Sequence, residues 1–161
     1  MTFTQRCYAV GCMLFLWYAA WVLVTMFSLL AGFPLSLWQS GISLLAFMAI
    51  SWFFHRNYFG QRSRKDTWIH VGATLLLFAL CIMFTQAVYD TSFDGTWYHM
   101  DAIYLLKEGW KPAYTLLTDG ETSYCSKYLN HFPLGTWVYG AQCYLLTGNP
   151  ESGKSLDLLL M

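Results

Sequence analysis

The run YAVGCMLFLWYAAWVLVTMFSLLAGF, Tyr8 to Phe33, contains no Lys, Arg, Asp or Glu. A soluble helix needs a polar face toward water, and this run has none. It exceeds the roughly 20 apolar residues a helix needs to cross a hydrocarbon core of roughly 30 Å. A cleaved secretory signal would have an apolar core of about 7–15 residues followed by a small-residue cleavage site. The run is much longer and lacks an A-x-A site, so it reads as a retained first span. Gly32-Phe33-Pro34 then supplies a turn signal.

The absence of charge continues outward from this run. No Lys, Arg, Asp or Glu occurs between Arg6 and Arg56, and a second charge-free stretch extends from Thr67 to Tyr89. These stretches predict a second span over Leu35–Phe54, with Trp38 and Trp52 as interfacial anchors, and a third over Trp68–Tyr89. The whole chain is 57% hydrophobic, 19% aromatic and 11% charged, against about 25% charged in a soluble domain. The fold class expected is all-α, a polytopic transmembrane helical protein.

Orientation follows from the loops. Residues 55–67 carry Arg56, Arg62, Arg64 and Lys65, whereas the first turn, Phe33 to Ser36, carries no base. The positive-inside rule therefore predicts a cytoplasmic N-terminus, with the Arg-rich loop also cytoplasmic. Residues 1–89 form the three-span unit, and residues 90–131 form an external loop. The net charge of zero provides no basic field for nucleic acid. Cys7, Cys12 and Cys81 lie in or beside apolar runs. Cys125 and Cys143 lie downstream, with a spacing that shows no disulfide framework, and no CxxC pattern suggests a metal site.

Residues 90–131 change in character, holding most of the acids and many polar residues. One helix is expected here, capped by Thr91, Ser92 or Asp94, running through Lys107 and stopping at Gly109. Its stripe of Trp97, Met100, Ile103, Tyr104 and Leu106 suits a helix lying on a membrane surface, with Asp101 on the solvated side. Residues 132–161 hold a fourth apolar helix, from about Leu134 to Leu146 and near the short limit for a span. After a Gly148-Asn149-Pro150 turn comes the start of another helix. Because the chain stops at Leu158-Leu159-Leu160-Met161, it reads as the N-terminal part of a longer protein, inactive by itself.

The segment Asp90-Thr-Ser-Phe-Asp94-Gly-Thr-Trp-Tyr98-His99 gathers two carboxylates, a phenol and an imidazole just past the third span. Residue by residue, each has a plain structural role. Asp94 before Gly95 suits an N-cap worth about 1 kcal/mol. Asp90 suits a helix-end charge, and His99 and His131 suit packed or solvated side chains without metal-ligand spacing.

Taken with Gly109-Trp-Lys111-Pro and Asn130-His131-Phe-Pro-Leu-Gly135, the segment resembles the N-terminal part of bacterial membrane glycosyltransferases of the GT-C superfamily. Within it, the likeness is to polyprenyl-phosphate-sugar-dependent mannosyltransferases. The resemblance covers roughly Asp90 to Lys154. It departs at Lys111, where G-W-N-P would place Asn, and in having two extra spans before the loop.

The resemblance implies Asp94 as general base and Asp90 as second choice, with Tyr98, His99 and His131 positioning acceptor or phosphate. Lys107, Lys111 and Lys127 would be the cations that meet developing phosphate charge. The implied partners are a lipid-linked sugar donor and membrane lipids. No cofactor is required, though a divalent cation would suit two nearby carboxylates. The alternative from another class is a non-enzymatic small membrane subunit or transporter fragment.

Overall fold

The computed structural model describes residues 2–58, 64–89, 98–118, 126–131 and 134–160. Among them there is helix and no strand. The elements are α1 (Phe3–Leu30), α2 (Leu37–Tyr58), α3 (Arg64–Gln86), α4 (Met100–Lys107), α5 (Ser126–Leu129), α6 (Gly135–Thr147) and α7 (Ser155–Leu160), with a 3-10 turn at Pro150–Lys154. Three of these, α1, α2 and α3, are long and apolar enough to cross a membrane.

The helix ends follow local chemistry more than hydropathy. α1 starts five residues before the apolar run because Thr2 and Gln5 form a capping box: Gln5 N–H donates to Thr2 Oγ1 at 3.3 Å, and Thr2 N–H to Gln5 Oε1 at 3.1 Å. It ends where Gly32 takes φ +84°, a conformation costly for any side chain. There Phe33 N–H donates to Ser28 O at 3.0 Å. α2 continues through Tyr58 and α3 begins at Arg64, so much of the basic segment is helical and not loop.

The bundle buries polar side chains beside its apolar core and exposes large apolar ones. Thr25, Gln39, Ser43, Ser51, His55 and Thr74 are at most 1% exposed, while Phe15, Phe27, Leu45, Phe53, Met83 and Phe84 are 62–69% exposed. Four buried hydroxyls return their proton to their own helix: Thr25 to Trp21 O (2.9 Å), Ser28 to Val24 O (2.8 Å), Ser43 to Gln39 O (2.7 Å) and Thr85 to Ile82 O (3.0 Å). An aromatic layer crosses the interior. Trp17 meets Trp21, Phe47 and Phe78 edge-on, at ring separations of 4.7, 5.2 and 5.3 Å.

α6 is embedded between two cores. Seven consecutive residues, Trp137 to Cys143, are buried, as expected for a helix covered all round. Tyr139 and Cys143 join the aromatic core of α1–α3, and Trp137, Val138 and Ala141 join a second core with Leu29, Ala102, Leu106, Trp110 and Leu129. With 13 residues at 1.5 Å each, α6 is about 20 Å long and shorter than a hydrocarbon core.

Gln142 ties α6 to the α1–α2 turn. It accepts from Ser40 Oγ at 2.6 Å and donates to Gln39 Oε1 at 2.7 Å and Ser36 O at 3.3 Å. Behind α6, Gly140 and Gly153 approach so closely that neither tolerates a side chain easily.

A Cβ on residue 153 would lie 2.7 Å from Gly140 Cα, a backbone atom that cannot rotate aside. A Cβ on residue 140 would lie 2.8 Å from Ile103 Cδ1, the movable end of a side chain, and one on residue 11 meets nothing within 4 Å. Gly153→Ala is therefore expected to lower unfolding stability in detergent by about 1–3 kcal/mol, with a smaller loss for Gly140→Ala. Gly11→Ala should show no loss.

Candidate functional site

The catalytic candidates Asp90 and Asp94 lie outside the described residues, as do the cap candidates Thr91 and Ser92 and the stripe residue Trp97. Tyr98 and His99 are described, as a single wide turn running into α4. α4 ends as its sequence predicts: Gly109 takes φ +101°, and Trp110 N–H donates to Leu105 O at 2.8 Å.

His99 is fixed by a residue far along the chain. Trp137 Nε1 donates to His99 Nδ1 at 2.6 Å, so Nδ1 is the acceptor and the neutral ring carries its proton on Nε2. The imidazole thus presents one N–H donor away from the indole, the polarity needed to meet a phosphate or hydroxyl oxygen. Tyr98 lies 4.3 Å from the His99 ring and stacks with Tyr128 at 6.0 Å, and Trp137 meets Tyr98 edge-on at 6.3 Å.

The segment after α4 is held in place by side-chain bonds to backbone. Trp110 Nε1 donates to Thr115 O at 2.9 Å, and Tyr114 OH donates to Leu30 O at the end of α1. Asn130 takes both backbone groups of Leu117, accepting from its N–H and donating to its C=O, each at 3.0 Å. These bonds bring α5, and so Tyr128, to the Tyr98 ring. His131 Nδ1–H donates to Lys127 O at 2.7 Å, which leaves the exposed ring attached to the short helix α5 before it.

The predicted site residues divide into two groups. Tyr98 and His99 come together, and His131 follows Tyr128 by three residues at the end of α5. Lys111 is half-buried beyond the opposite end of α4, whose eight residues span about 12 Å. Lys107 also sits at that end, 4.5 Å above the Tyr144 ring. Asp101 differs from expectation: it is half-buried, and desolvation raises its carboxyl above the usual aspartate range. α4 accordingly packs Ala102 and Leu106 onto α6 as well as presenting the exposed Tyr104.

Several residues that sequence reasoning passed over matter here. Trp137 and Tyr128 complete the aromatic cluster around His99. Glu151, 2% exposed, pairs with Lys154 on the 3-10 turn. That turn is bonded to the end of α3 through Gln86 Nε2 and Ser152 Oγ at 3.1 Å. The only linear signal for it was Asn149 before Pro150, whose side chain caps the turn at Glu151 N–H, 2.9 Å away. Cys143 is a buried free thiol, and Cys125 lies outside the described residues. Among the described residues no cluster of three or more metal-ligating side chains occurs. An apolar groove of about 390 Å³ lined by Tyr8, Gly11, Cys12, Phe15, Leu16 and Phe54 lies on the α1–α2 face and contains none of these site residues.

Two substitutions test this geometry. Trp137→Phe keeps the ring but removes the N–H, so ¹⁵N spectra should show the His99 ring changing from one tautomer to a mixture. Asn130→Ala leaves the Leu117 backbone groups unpaired at a cost of about 1–3 kcal/mol, and amide exchange at Leu117 should accelerate roughly tenfold to a hundredfold.

Compared with protein-family models, curated proteins and solved structures, the chain matches none.

Proposed function

We propose that this chain is a multi-pass inner-membrane protein with a cytoplasmic N-terminus. We propose further that it acts in sugar transfer from a polyprenyl-phosphate donor to an acceptor at the external face, as a glycosyltransferase of the GT-C type. The membrane reading draws on the burial pattern of α1–α3, where Phe15, Phe27, Phe53 and Phe84 face outward while hydroxyls, amides and imidazoles are buried beside the aromatic layer. That pattern suits hydrocarbon as solvent, because buried polar groups can then bond to one another.

The observation that carries the transferase reading is His99. It ends the Asp90–His99 segment, and its proton-bearing Nε2 is set by Trp137, on the helix that follows Asn130-His131-Phe-Pro. The first motif is thus bonded to the helix that follows the second. Chemically, inverting transfer needs a carboxylate to take the acceptor proton as the anomeric carbon is attacked. The polyprenyl phosphate leaves already charged and needs no acid. Asp94 is the proposed base, with Asp90 as second choice. His99 Nε2–H and Lys111 are proposed to bind substrate oxygens, with Tyr98 and His131 as flanking contacts. A transporter reading draws on a different observation, two buried histidines on α2 and α3.

Topology is tested by single cysteines in a cysteine-free background. Position 63 should be inaccessible to a membrane-impermeant maleimide in intact cells, and position 123 should be labelled. The reverse pattern overturns the orientation.

Asp94→Asn retains a capping oxygen but cannot serve as a base. In membranes from cells expressing the protein, it should leave insertion intact and lower transfer from a polyprenyl-phosphate sugar about 10²–10⁴-fold. Asp90→Asn should cost less. Normal turnover in both variants would remove the chemistry from this loop.

A further inference from the structure

The Arg-rich end of the bundle contains a polar seam that the aromatic layer closes off. On α2, Phe47, Ser51 and His55 are spaced four apart; on α3, His70, Thr74 and Phe78 are spaced likewise. The two helices run in opposite directions, so their faces match level for level, about 6 Å apart. Phe47 and Phe78 share the layer built on Trp17. At the other end of the seam the His55 and His70 rings stand 5.5 Å apart, 1% and 3% exposed.

Several polar atoms along this seam have no protein partner. Ser51 Oγ, Thr74 Oγ1, His70 Nδ1 and Trp17 Nε1 are buried without a hydrogen bond. Thr25, Ser28, Ser43 and Thr85 bond to their own helices, and these two hydroxyls do not. Buried polar atoms left so are costly unless water or a ligand satisfies them. Among the described residues no third His, Cys, Asp or Glu joins the two rings to complete a metal site. The charged groups near enough to act on His70 are Asp66, one turn away on α3, and Arg6 on α1. Arg56 and Lys65 are exposed.

We propose that His55 and His70, with the Ser51 and Thr74 hydroxyls above them, form a hydrated site that binds one proton between α2 and α3. Two imidazolium charges at this separation repel, so the pair takes one proton where separate rings would take two. Water bonded to Ser51 and Thr74 spreads the charge. Half-buried Asp66 offers the exchange route to the Arg-rich end, and Trp17, Phe47 and Phe78 block passage farther along the bundle. The site therefore loads and unloads protons from one side without conducting them. It does not depend on the transferase reading.

The test is ¹⁵N-imidazole NMR of the wild-type chain in lipid nanodiscs from about pH 8 to pH 4, the range over which imidazoles titrate. His55→Gln and His70→Gln serve only to assign signals. The expected result is a single protonation step in which both rings shift together, with magnetisation transfer from water to the rings. Ser51→Ala combined with Thr74→Val should abolish that transfer. Two independent steps reaching two protons, no step at all, no water transfer in the wild type, or transfer persisting in the double variant would each overturn the proposal.

Discussion

Trp17 is the contact on which the bundle depends. Its indole reaches the ring of Phe47 on α2 and that of Phe78 on α3, so one side chain holds all three long helices to a common level. In the proposed membrane setting, lipid tails are as apolar as leucine, so exclusion from water does not draw helices together. Edge-to-face rings and close van der Waals packing must do so, and such aromatic pairs contribute about 0.5–1.5 kcal/mol each beyond area. Trp21 extends the layer to Tyr139 at 5.6 Å, and through it α6 acquires a fixed position. The second core, the His99 cluster and the pinned segment after α4 all build outward from that placement.

The three long helices were readable because charge is absent over stretches where no soluble helix could do without it. Their ends were less so. The Thr2–Gln5 box lengthens α1 beyond its apolar run, and α3 ends at Gln86 although Ala87, Val88 and Tyr89 are uncharged. Hydropathy reports which residues tolerate hydrocarbon, whereas helix ends depend on which backbone groups find partners. Gly109 and the Gly148-Asn149-Pro150 turn were foreseen for the opposite reason, since positive φ and a missing N–H are written into those residue types. The central position of α6 was hidden: a segment buried on every side and a segment facing lipid have the same composition.

The site was legible only as a local string. Tyr98 and His99 were singled out from neighbours in sequence, but the indole that sets the His99 tautomer lies 38 residues downstream in what read as a plain apolar helix. The seam histidines were missed by a different route. A charge-free stretch is broken only by Lys, Arg, Asp or Glu, so His70 leaves no mark on it, and His55 falls in the basic segment just past the second apolar run. Their opposition appears only once α2 and α3 are antiparallel, because His55 and His70 each look solitary along the chain.

The Gln142 contacts bear on how the molecule is made. Its amide bonds to Ser40, Gln39 and Ser36, all in or beside the α1–α2 turn. Until that turn exists, the same amide has no partner in a helix otherwise made to be enclosed, and an unpaired amide in an apolar setting is penalised by several kcal/mol. The first hairpin is self-sufficient by comparison, since Gln39 already accepts from Ser36 N–H and donates to Pro34 O within the turn. Biogenesis thereby acquires a direction. The N-terminal hairpin emerges first and offers a preformed socket, and α6 seats into it later as a latecomer whose fit is checked by one side chain.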